Sequence, residues 1–110
     1  MENTKRHALE DAMSRMWVQF LPDMNERVDA LEKAARALAS GTCTPELLHT
    51  AYMEAHKLSG VLGIFGLMQG TEIAREAELI YHEGAERASA EAARLLEIAT
   101  QLRRMIADNK

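Results

Sequence analysis

The segment from Met13 to Leu38 carries apolar side chains at Met13, Met16, Trp17, Phe20, Met24, Val28, Leu31, Ala35 and Leu38. Apart from the adjacent Met16 and Trp17, every step is three or four residues, which gathers the set on one stripe of an α-helix. A strand, with its two-residue period, cannot reproduce that spacing. The stripe keeps its phase across Pro22, where proline removes a backbone donor and crowds the preceding turn. The pattern therefore predicts a long first helix over roughly residues 5–39, kinked or broken near Pro22, and Gly41 stops it.

The rest of the chain repeats the theme in shorter pieces. Thr44 as N-cap and Pro45 at the first helical position open a second helix, with a core stripe of Leu48, Ala51, Ala55, Leu58, Leu62 and Phe65 and an end near Gly66. A third, from about Leu67 to Glu83, buries Ile73, Ala77 and Ile80, with Gly84 as terminator. Ser89 is placed to cap a fourth, in which Ala92, Leu95, Ala99, Leu102 and Ile106 recur at helical spacing. Short connections make sequential helices antiparallel neighbours, so the expected fold is all-α: an up-down four-helix bundle forming one domain over residues 1–110. The methionine-rich stripe reads as core filler and not as a cofactor box.

Composition narrows the function classes. A formal net charge of −4 with no basic run argues against a nucleic-acid partner. The longest uncharged run, Leu58 to Thr71, holds four glycines and falls short of a membrane span. The opening "MENTKRHALEDAM" lacks the apolar core of a signal peptide, so a cytoplasmic protein is expected. Cys43, the single cysteine, stands in the loop-like "SGTCTPE" and reads as a bystander thiol. "ELLH", Glu46 to His49, is one Glu-x-x-His motif where a di-metal bundle needs two. His49 and His56 share a face without a third convergent ligand, so no metal is expected. His7 and His82 read as surface residues, His82 pairing with Glu78 one turn away.

One stretch breaks the stability pattern. In "AHKLSGVLGIFGL", Ala55 to Leu67, the 100° step per residue turns His56 away from the stripe through Ala55, Leu58 and Leu62. One and two turns beyond it stand Ser59, Gly60 and Gly63, where an ordinary solvated face would carry Lys, Glu or Ala. Two helical glycines forgo about 2 kcal/mol of propensity. The bare face is explained if another macromolecule brings its backbone close to His56 there, which makes Ser59, Gly60 and Gly63 candidate partner-binding residues. The competing explanation is close packing of a neighbouring helix of the same bundle.

The same stretch resembles the signature of histidine-containing phosphotransfer domains, in which a phospho-accepting His is followed by Leu, Lys and Gly two, three and four residues on, and by an apolar residue and Gly nine and ten residues on. Leu58, Gly60, Phe65 and Gly66 match, and the family's four-helix bundle with an exposed His on its second core helix agrees with the periodicity. The resemblance implies a phosphorelay carrier that takes a phosphoryl group on His56 from the aspartate of a response-regulator receiver domain, or from a histidine kinase, and passes it on. It also implies that Glu78, 22 residues beyond the His, orients the imidazole. The family's Lys at the third position is Ser59 here; Lys57 and Arg75 are the candidates to neutralise the phosphoryl group. No nucleotide-binding motif is present. The carrier should thus need no cofactor of its own, Mg²⁺ being expected in the partner receiver only, and should be a monomer without enzyme activity in isolation. The rival reading is an adaptor that binds a receiver or kinase without exchanging phosphate, or that dimerises.

Overall fold

The computed structural model describes the backbone of residues 2–109 and the side chains of residues 4–109. Five helices follow one another: α1 Glu2–Ser40, α2 Pro45–Ile64, α3 Met68–His82, α4 Ala85–Ala90 and α5 Ala92–Asp108. Among the described residues there is no strand. The architecture is an all-helical bundle in which α1 packs on α2 and α5, and α3 packs on α2 and α5, closing a ring around one core.

The apolar stripes meet in that core. Met24, Val28, Leu31, Ala34 and Ala35 of α1 face Ala51, Ala55, Leu58 and Leu62 of α2, Ala74, Ala77 and Ile80 of α3, and Leu95, Ile98, Ala99 and Leu102 of α5. The alanines let the helix axes approach, and the larger residues fill the remaining space. Tyr81 is buried as well; its phenol donates to the Leu31 carbonyl at 3.2 Å, the partner that a buried hydroxyl needs.

α1 runs unbroken through Pro22. The carbonyl that proline leaves without a donor belongs to Val18, whose residue is exposed, so water can serve it. At 39 residues α1 spans the 57 Å long axis of the molecule, about twice the length of α2. Its first turns therefore stand beyond the other helices; Met16 and Phe20, expected in the core, flank the buried Trp17 and are partly exposed. Phe20 still meets Phe65 edge-on, as does the buried Trp17.

The α2 start follows the sequence signals. Thr44 Oγ1 accepts from the Leu47 N–H at 3.1 Å, and Pro45 opens the helix. Gly41 and Gly84 adopt φ of +74° and +106°, conformations that L side chains rarely take, and end the helices before them. The C-terminal third departs from expectation. Ser89 does not cap the last helix but lies inside the short α4, whose good helix formers start directly after Gly84 and whose Ala88 enters the core. Glu91, at φ −104° and ψ 16°, separates α4 from α5 without a side-chain cap.

Candidate functional site: a histidine cleft between α2 and α3

The α2/α3 contact is the most extensive helix pair in the bundle. Small residues make it close: a Cβ at Gly70 would stand 3.1 Å from Leu62 Cδ1, and Gly63 lies against Thr71, whose Oγ1 would be 3.5 Å from a Cβ there. The buried Thr71 hydroxyl donates to the Ser59 carbonyl at 3.1 Å and ties the two helices directly. This packing fixes the register in which their polar edges meet.

At that edge His56 Nδ1 lies 2.9 Å from Glu78 Oε2. The His56 side chain is 64% exposed and that of Glu78 23%. A carboxylate can only accept, so the bond requires the proton on Nδ1 and leaves Nε2, which has no protein partner among the described residues, with its lone pair free. Glu78 thus lies against the ring from the position that the family resemblance singled out. His82, expected to pair with Glu78, instead has its ring 5.4 Å from that of Tyr52; the imidazole of His56 has taken the carboxylate.

An open cleft surrounds the pair. Its α2 wall is Tyr52, His56, Ser59 and Gly60. Arg75, Glu78, Leu79 and His82 form the α3 wall. Nothing lies within 4 Å of a Cβ built at Gly60, so no helix of the bundle explains that glycine. Ser59 differs from its expected role as a partner-binding surface: it is only 7% exposed, and its Oγ donates back to the His56 carbonyl at 2.8 Å. The covering element is α3, which a periodicity read on α2 alone does not include. Leu79, 56% exposed, supplies an apolar surface on the rim that the sequence reading did not select.

The two candidate cations are placed differently. Lys57 Nζ is 3.7 Å from Glu54 Oε1, and Glu54 also holds Arg27 at 2.6 Å, on the side toward α1. Arg75 is exposed, lines the cleft and carries no ion pair among the described residues. Also among the described residues, no cluster of three His, Cys, Asp or Glu could hold a metal ion, and no helix is long and apolar enough to cross a membrane. Burial pushes the Cys43 thiol up, the opposite of what a reactive thiolate needs.

The geometry is that of a presented, singly oriented imidazole in a shallow open groove. The family model for the Hpt domain matches residues 15–108. The chain belongs to the Hpt domain family. Hpt domains are phosphocarriers of two-component phosphorelays, and the helical bundle described above is consistent with that assignment. Over 66 residues this Hpt domain is 35% identical to Protein RcaC of Microchaete diplosiphon, an alignment that spans 60% of the chain and 10% of the relative. No solved structure gives a significant match.

Proposed function

We propose that His56 is the phospho-acceptor of this Hpt domain and that it exchanges a phosphoryl group with the aspartate of a response-regulator receiver domain. The observation that carries the reading is the 2.9 Å contact between His56 Nδ1 and Glu78 Oε2, which leaves Nε2 as the free nucleophile in an open cleft.

The chemistry needs little else from this chain. The Nε2 lone pair attacks the phosphorus of the acyl phosphate as the P–O bond to the aspartate breaks, and the bonding pair leaves with the carboxylate. Nδ1 keeps its proton, so the phosphorylated ring is cationic, and the Glu78 carboxylate beside it stabilises that charge. Reversal returns the phosphoryl group to a receiver. Transfer of this kind is mostly positioning and charge neutralisation, with Mg²⁺ and the acceptor aspartate supplied by the receiver. The bare surface at Gly60 admits the receiver's loops to Nε2, and Leu79 offers them an apolar contact, whereas Gly63, expected to bind the partner, instead packs against Thr71 of α3. Glu78 is a positioning residue; of the two candidate cations, Arg75 lines the cleft and Lys57 does not.

The test is incubation with a phosphorylated receiver. The wild type gains an acid-labile, base-stable label, and a folded His56→Gln variant gains none. A wild type that binds the receiver but takes no label is an adaptor, and the proposal fails.

A further inference from the structure

We infer that Arg75, reaching across the cleft from α3, is the cation that neutralises the phosphoryl group on His56, and that Lys57 is not. The inference rests on the reading of His56 as phospho-acceptor and adds a catalytic residue to it.

Helix register fixes the position of Arg75. α2 and α3 run antiparallel, and three observed rungs share one register: Tyr52 with His82, His56 with Glu78, and Gly63 with Thr71. Moving three residues forward from His56 on α2 and three back from Glu78 on α3 pairs Ser59 with Arg75. Moving four back from Gly63 and four forward from Thr71 gives the same pair. Arg75 therefore stands one helical turn from the His56–Glu78 rung, on the side where the cleft wall is lowest.

Ser59 is what makes that side low. Its short side chain is folded onto the α2 backbone, with Oγ bonded to the His56 carbonyl, and Gly60 beside it has open space where a Cβ would be. Any long side chain in the cleft at this level must come from α3, and Arg75 is the one lysine or arginine among the described residues lining it. A guanidinium presents several N–H donors in a planar fork that can engage two phosphoryl oxygens at once. Arg75 carries no competing ion pair among the described residues, whereas Lys57 is held by Glu54 and does not line the cleft. Since Glu78 already serves the ring nitrogen on one side, the two charges divide the product: carboxylate to the imidazolium, guanidinium to the phosphoryl dianion.

Phosphoramidate is a suitable probe because it donates a phosphoryl group to a free imidazole, releasing ammonia, without docking a receiver. Rates of His56 labelling are measured with phosphoramidate and with a phosphorylated receiver for wild type, Arg75→Ala, Arg75→Lys, Lys57→Ala and His56→Gln, with receiver affinity measured in parallel. Arg75→Ala is expected to slow labelling about tenfold with both donors, the scale of one charge-assisted contact, without loss of receiver affinity. Arg75→Lys recovers part of that loss, and Lys57→Ala stays within about twofold of wild type. Wild-type labelling in Arg75→Ala, or a larger loss in Lys57→Ala, overturns the inference while leaving the acceptor in place. A slowing seen only with the receiver and matched by weaker binding makes Arg75 a docking contact and equally overturns it. Receiver-derived label persisting in His56→Gln, or no label on His56 of the wild type from either donor, overturns the acceptor assignment and this inference with it.

Discussion

The Glu78 carboxylate lies 2.9 Å from His56 Nδ1 across the α2/α3 boundary, and this one contact selects the tautomer of the exposed imidazole. Neither helix could make that choice alone, because the two residues meet only in the register set by Gly63, Gly70 and Thr71.

Removing the acceptor should therefore cost rate without costing fold. Glu78→Ala is expected to slow phosphorylation of His56 about tenfold, the scale of one hydrogen bond to a charged group at a partly solvated site. Receiver affinity should stay near the wild-type value, since the lost contribution is orientation. Glu78→Gln should be milder, because its amide oxygen still accepts from Nδ1. Nitrogen-15 NMR of the ring checks the cause: the Nδ1–H form dominates in wild type and loses that dominance in Glu78→Ala.

Gly60 and Gly70 should respond oppositely to the same added methyl group. A Cβ at Gly60 meets nothing within 4 Å, so Gly60→Ala should raise stability by up to about 1 kcal/mol through helix propensity. At Gly70 the methyl group would press on Leu62 Cδ1 at 3.1 Å, inside a fully buried contact, and the propensity gain is offset by overpacking. Thermal melts should place Gly60→Ala above wild type and Gly70→Ala no higher than it. Gly60→Leu should stay folded yet lose most transfer from a receiver. Normal transfer by that variant would mean that the face beyond His56 is not a docking surface.

Acid stability should depend on the α3/α5 ion pair. The Arg94 guanidinium, hydrogen-bonded to both Glu76 oxygens at 2.6 and 2.7 Å, holds that carboxyl below its ordinary value of 4.5. Because the folded state lowers the value, the contribution is present above about 4.5 and fades as pH falls through the folded-state value. Both side chains are partly solvated, 42% exposed for Glu76, so the effect is modest. Glu76→Gln should lower the melting temperature slightly at pH 7, and the difference from wild type should shrink as pH falls below 4.5 and through the folded-state value. An unchanged difference at low pH would assign the loss to packing.

What was legible in the sequence follows from which forces act within one helix. Thr44, Pro45 and the stripe through Ala55, Leu58 and Leu62 specify α2 locally, and His56 is exposed because it lies off that stripe. Glu78 was reachable only through the family resemblance, since no local rule pairs residues on different helices. Ser59 was misplaced for the same reason: α3 covers it, and the position of α3 is a property of the packed pair. Met16 and Phe20 follow the stripe but flank Trp17, which takes the buried position, so the period is right and their burial is incomplete. The α4/α5 break at Glu91 carries no cap or glycine and left no local signal. Leu79 and Tyr52 entered the site through the cleft's shape, although each lies one turn or less from a residue already singled out.

The central claim is that the phosphoryl group resides on Nε2 of His56 because Glu78 occupies Nδ1. Phosphorus–nitrogen coupling in the phosphorylated domain, with its histidines labelled with nitrogen-15, reads the bonded atom directly. The account predicts one phosphohistidine, coupled through Nε2 of His56, with Nδ1 still protonated and the signal absent from His56→Gln. A coupling through Nδ1, or a signal that survives in that variant on His7, His49 or His82, would contradict it.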